Sequence, residues 1–191
     1  MPRDRHRVAS PIERYERLPV EVREYDPQAP AVARRVIELI AAVNAGTAEH
    51  VGSSAVPGLA GKGTVDLLLP TPVEDIPEVT EVLVAAGFQR QEIAKAFPPT
   101  RPMLQGAIRY HGKRYRLHVH VVPVDSPEVE AIRGFCDALR ADEDLRDGYV
   151  ALKREIVARG LTDSVDFSVA KHPYITAVLE RLGLQPSVPP G

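Results

Sequence analysis

Apolar residues recur at helical spacing at Val32, Val36, Leu39, Ile40 and Val43, predicting a helix from about Pro30 to Val43 that stops near Asn44 and Gly46. Upstream, Val20-Glu21-Val22-Arg23-Glu24-Tyr25 alternates apolar and polar positions, the period of a half-buried strand, and Pro11 to Arg17 reads as one helical turn. Thr47 to Val51 reads as a short strand. Thr64 to Leu69 is a nearly unbroken apolar run, the pattern of a strand covered on both faces. Asp75 is placed to cap a helix with Pro77 and Glu78 in its first turn and Gly87 past its end. The pattern then dissolves into a loop around Phe97-Pro98-Pro99. Two strands follow, Pro102–Tyr110 and Arg114–Val122, joined by a turn at His111-Gly112-Lys113.

The last third is helical. Ser126-Pro127 supplies an N-cap followed by proline at the first helical position, and Val129, Ile132, Phe135, Cys136 and Leu139 form one stripe. Leu145, Tyr149, Leu152 and Ile156 form a second. A third helix carries Val165, Val169, Val178 and Leu182, with Pro173 kinking or splitting it and Gly183 ending it. These elements predict one mixed α/β (α+β) domain over residues 19–184, a sheet flanked by helices with a helical C-terminal section. Residues 1–18 are expected to form a flexible arm and 185–191 a proline-rich tail.

Composition narrows the function. The chain has 191 residues, 44% hydrophobic and 26% charged, enough for one domain with a substantial core. No run of about 18 apolar residues predicts a membrane span, and the N-terminus lacks the apolar stretch of a secretory signal. Cys136 is the only cysteine, so no internal disulfide can form; together these features predict a cytoplasmic protein. A net charge of −2 argues against general nucleic-acid binding and leaves room for a local basic cleft. Of 24 basic residues only Lys62, Lys95, Lys113, Lys153 and Lys171 are lysines, which raises the interest of each as a compact ammonium.

The chemistry concentrates in His50 to Leu69. Gly52-Ser53-Ser54, a turn after a strand, lets backbone amides and a hydroxyl approach an anion. Asp66 interrupts an apolar strand, a costly placement unless it faces a cleft, a cation or a partner. It shares a strand face with Thr64 and Leu68. A two-metal phosphoryl-transfer site would want a second carboxylate at position 68, where the chain has leucine. Gly61-Lys62-Gly63-Thr64 suggests a P-loop, but Val56 stands where the first glycine belongs and the segment precedes a strand instead of opening a helix. His118 and His120 share a strand face with Arg116, and could ligate a metal, contact phosphate or move protons. On the helix after Ser126, Arg133, Asp137 and Arg140 read most simply as a solvated face, with an arginine over the cleft as the alternative.

The run Glu49-His50-Val51-Gly52-Ser53-Ser54-Ala55-Val56-Pro57-Gly58-Leu59-Ala60-Gly61-Lys62, followed by Val65-Asp66, closely resembles the signature of the GrpB family. The likeness continues through Tyr25-Asp26-Pro27, Leu117-His118-Val119-His120-Val121-Val122 and the helices at Phe135, Asp137, Tyr149, Lys153, Lys171 and Ile175. The resemblance implies a nucleotidyltransferase-like fold, in which a Gly-Ser turn seats the triphosphate of a nucleotide and acids on adjacent strands bind Mg²⁺. GrpB-like domains also occur fused to dephospho-CoA kinase. A shorter likeness links His118-Val119-His120-Val121-Val122-Pro123 to histidine-triad nucleotide hydrolases, although Arg116 stands where their first histidine would fall.

The resulting expectation is a protein that binds a nucleotide or other phosphorylated small molecule. Gly52, Ser53 and Ser54 would hold phosphate, Lys62 would neutralise it, and Arg133 and Lys171 would add contacts. Asp66, His118 and His120 would be the catalytic groups, with Asp66 and His120 holding Mg²⁺ or another divalent cation. If catalytic, the protein would be a nucleotidyl or phosphoryl transferase. The alternatives are a non-catalytic nucleotide-binding module lacking the second acid and a histidine-dependent phosphate-ester hydrolase.

Overall fold

A computed structural model of the protein describes residues 10–93 and 96–185. The expected arm at residues 1–9, Lys95 and the end of the expected tail at 186–191 lie outside the described residues. Helix α1 (Ala29–Ala42) buries Val32, Val36 and Ile40 four residues apart, and beyond it Asn44 and Gly46 take positive φ as the helix gives way to the next strand. Strands β1 (Glu49–Val51), β2 (Thr64–Thr71), β3 (Gln89–Arg90), β4 (Met103–Tyr110) and β5 (Lys113–Pro123) form one sheet in the order β1-β2-β5-β4-β3. Only β2 and β5 run parallel; the other neighbours are antiparallel. The β4–β5 hairpin turns on His111 and Gly112, both at positive φ, the conformation of a tight two-residue turn.

Alternation along the central strands sorts the sheet's two faces. Val65, Leu67 and Leu69 of β2 and Leu117, Val119 and Val121 of β5 join α1 and α2 (Ile76–Ala85) in the main core. Asp75 precedes α2 as expected, but its side chain makes no capping hydrogen bond. On the opposite face Leu68 packs with Val51, Val122, Val129 and Cys136 beneath α3 (Pro127–Ala141). Ser126 does cap α3, accepting from the Glu128 amide. Helices α4 (Glu143–Ala158) and α5 (Ser164–Arg181) complete the C-terminal section, and α5 runs through Pro173 without dividing. This mixed α/β architecture is the one the hydrophobic pattern predicts. Among the described residues no helix is long and apolar enough to cross a membrane.

The N-terminal segment departs from expectation. Residues 11–17 form no helical turn: Glu13 pairs with Ala107 in an isolated antiparallel bridge. The buried side chain of Ile12 lies against the space left by Gly87 and Gly106, which explains why this part of the expected flexible arm packs on the sheet. Residues 20–25 are not a strand either. Arg23 exchanges two backbone hydrogen bonds with Gly61, while Val20 instead bonds Thr162 and buries among Ile156 and Phe167. The alternation was real, but its apolar positions serve the helical section and a loop.

Candidate functional site

Between the polar stretch of the second sheet face and the helical section lies a cleft of about 720 Å³. Its floor is set by strand register. Asp66 stands directly beside His118 in the parallel β2–β5 pair, and Gln105 of β4 stands beside His118 from the other side. His118 Nδ1 lies 3.1 Å from Asp66 Oδ1, and His120 Nε2 lies 3.6 Å from the same oxygen. Asp66, His118 and His120 each offer a ligand atom, all within 4.8 Å of one another. The other ring nitrogen of His118 is 3.3 Å from the Tyr15 hydroxyl and 3.4 Å from the Gln105 amide. The expected strand faces are therefore correct, and they bring the three groups together.

Charge follows from this crowding. Burial would raise the Asp66 pKa, but Lys62 and hydrogen bonds from the two histidines outweigh it and hold the carboxyl well below its usual range. Burial and the nearby Lys62 ammonium push His118 down to about 4 despite Asp66, and burial also lowers His120. The His118 imidazole is thus neutral at pH 7. Lys62 Nζ lies 3.5 Å from His118 Nδ1. It comes from the loop before β2, where Arg116 donates to its carbonyl at 2.8 Å.

The glycine-serine turn is the second wall. Gly52 adopts φ 71 and ψ −168, a region nearly closed to residues with a side chain, and Ser53–Ala55 forms one 3-10 turn. A Cβ on Gly52 would stand 3.0 Å from Asp66 Oδ2. Its amide donates to Cys136 Sγ at 3.2 Å, so it is not free for an anion, contrary to expectation. Ser53 and Ser54 do line the cleft. Ser54 Oγ lies 2.9 Å from His50 Nε2.

The third wall is helical and cationic. Lys153 of α4 is 1% exposed, with its amine donating to the Ala60 carbonyl and lying 3.3 Å from Ser53 Oγ. Burial, helped by Lys171 and Arg154, lowers its pKa to about 7. Lys171 of α5 stands over the Phe167 ring at 4.7 Å, its pKa lowered to about 8 by burial and Lys62. Among the described residues neither lysine, nor Lys62, forms a salt bridge. Further along, Arg101 stacks 4.1 Å above Phe97 and pairs with Glu128. Thr64 Oγ1, Arg101 NH1 and His120 Nδ1 are buried polar atoms without a partner among the described residues, and all three residues line this cleft.

Of the site residues expected from sequence, Gly52, Ser53, Ser54, Lys62, Asp66, His118, His120 and Lys171 converge on the cleft. Arg133 does not. It is not among the residues lining the cleft, and its guanidinium is paired with Glu49 of β1 and Glu130. Sequence reasoning missed Lys153, Tyr15, Gln105 and Arg101 as site groups. Lys153 alone carried a signal, as one of few lysines in an arginine-rich chain.

The GrpB family model, described as "GrpB protein", matches residues 19–181. The chain belongs to the GrpB family. A UPF0157 protein of Streptomyces coelicolor is 36% identical over 138 residues, covering 71% of this chain and 68% of its own. A dephospho-CoA kinase of Mycolicibacterium paratuberculosis is 28% identical over 191 residues, covering 86% of this chain but only 46% of the kinase. The crystal structure of the conserved protein GrpB from Enterococcus faecalis superimposes with a TM-score of 0.67 at 20% identity, over 84% of this chain and 96% of that one. GrpB from Enterococcus thus shares the fold.

Proposed function

We propose that this GrpB-family protein binds a nucleotide or other phosphorylated small molecule in the cleft, with Asp66, His118 and His120 holding a divalent cation beside the phosphate. The observation that carries this reading is Lys153. A buried ammonium without a carboxylate partner is costly, and an anion reaching Ser53 would complete it. Lys62 and Lys171 supply two further ammonium groups facing the same space. The serine hydroxyls donate to phosphate oxygens, and the lysines spread its charge.

A cation at Asp66 would draw phosphate oxygens into place and offset their charge. The cluster contributes one carboxylate, and Leu68 is buried against Val51 and Val122 where a second would stand. This favours a binding role over two-metal nucleotidyl transfer. The dephospho-CoA kinase relative is consistent with a phosphorylated ligand, although this chain spans less than half of that enzyme.

The test is calorimetric titration of nucleotides and of CoA-type phosphates into the wild type and Lys153→Met. The wild type is expected to bind, and ligand at about 100 times its Kd to add about 2.7 kcal/mol to folding stability. Lys153→Met is expected to weaken binding at least about tenfold, the equivalent of 1.4 kcal/mol. Equal affinity in a folded Lys153→Met protein would overturn the reading.

A further inference from the structure

The resemblance implies Mg²⁺ held by acids on adjacent strands, and the residues present do not match that donor set. Mg²⁺ favours near-octahedral oxygen coordination, while two of the three groups in the cluster are imidazoles. We infer that Asp66, His118 and His120 form a site for a borderline transition-metal ion such as Zn²⁺, Fe²⁺ or Ni²⁺. This rests on reading the cluster as a cation site, and not on the identity of the phosphorylated ligand.

Three observations support it. The donors stand on neighbouring positions of two hydrogen-bonded strands, Asp66 beside His118 and His120 two residues on, so the backbone holds their spacing. His118 has an outer partner suited to a ligand imidazole. Tyr15 Oη, 3.3 Å from Nε2, can donate or accept, whereas the Gln105 amide nitrogen at 3.4 Å can only donate. When Tyr15 accepts from Nε2–H, the Nδ1 lone pair is free for an ion, the outer-shell arrangement typical of metal-bound histidine. Finally, His120 turns Nε2 toward Asp66 Oδ1 at 3.6 Å, so both histidines present a ring nitrogen to the same carboxylate oxygen.

Lys62 gives the site a distinctive property. Its ammonium, 3.5 Å from His118 Nδ1, competes with any ion for that nitrogen. An ion displaces it, and the freed ammonium is available to the anion in the same cleft. Metal and phosphorylated ligand would therefore bind cooperatively, and removing the lysine would tighten metal binding while weakening the anion.

The experiment is a titration of the untagged, metal-stripped full chain with Co²⁺, read by its visible d–d absorption, followed by competition with Zn²⁺ and Mg²⁺ in the absence of any nucleotide. Expected are Co²⁺ bands that Zn²⁺ abolishes and a large excess of Mg²⁺ does not. Asp66→Asn and His120→Gln lose the bands, each checked for folding by circular dichroism. Lys62→Met, which leaves the three donors intact, binds Co²⁺ about tenfold more tightly. Displacement of Co²⁺ by Mg²⁺, or bands that persist in both donor variants, overturns the inference. Binding of Mg²⁺ alone removes the metal class but spares the cation site, whereas no divalent binding removes both. The calorimetric test of nucleotide binding is read without added metal and stands or falls separately.

Discussion

Lys153 condenses the logic of the site into one side chain. It is 1% exposed, with the amine 4.6 Å over the Tyr149 ring, and burial lowers its pKa to about 7. Below pH 7 the amine is charged in both the folded and the unfolded chain, and its burial opposes folding in full. Between about pH 7 and 10.5 the folded chain has released the proton while the unfolded chain retains it. Stability contributed at this residue therefore rises with pH across that window and levels off above it. Urea denaturation at pH 7 and pH 9.5 is expected to show this rise in the wild type and a shallower one in Lys153→Met. The variant should be the more stable protein at pH 7. A variant less stable than the wild type at pH 7 would show that the buried amine is already fully compensated within the protein.

At the scale of elements, the site is a product of strand register and one strained turn. Asp66 and His118 meet because β2 and β5 run in parallel with those residues as direct partners. The turn after β1 meets Asp66 because Gly52, with φ 71, passes where any Cβ would stand 3.0 Å from the carboxylate. Gly52→Ala combines backbone strain with this collision and is expected to cost roughly 1–3 kcal/mol and to disturb the cation site. Gly58, at φ 79, has nothing within 4 Å of an added Cβ. Gly58→Ala is therefore expected to cost about 1 kcal/mol and to leave ligand binding unchanged. Denaturant midpoints together with ligand titrations of both variants separate strain from crowding.

On the scale of the whole molecule, the cleft is a seam. Asp66 belongs to the sheet and Lys62 to the loop that leads into β2, while Lys153 and Lys171 come from α4 and α5. A phosphorylated ligand contacting both sides would tie the helical section to the sheet. Amide hydrogen exchange across residues 149–158 and 164–175 is expected to slow on ligand addition, while α1 in the main core changes little. Slowing confined to β2 and the glycine-serine turn would show that the helices take no part in binding.

Much of this was legible in the chain as written. The α1 stripe, the β4–β5 hairpin, the Ser126 cap and the common face of His118 and His120 all follow from local periodicity and turn chemistry, which need no partner to be read. Asp66 announced itself as an acid inside an apolar strand. The strap at residues 10–25 was misread because its apolar positions answer to distant partners: Ile12 to Gly87 and Gly106, Val20 to Ile156 and Phe167. Arg133 was misplaced because helical spacing says which residues share a face and nothing of what that face meets, here Glu49. Lys153, Tyr15 and Gln105 are far apart in sequence, and only strand order and helix packing bring them to the glycine-serine turn and the histidine pair. The chemical groups and the elements carrying them were thus determined locally; which of them share a cleft was decided by long-range packing, because burial and charge pairing depend on neighbours that sequence distance does not reveal.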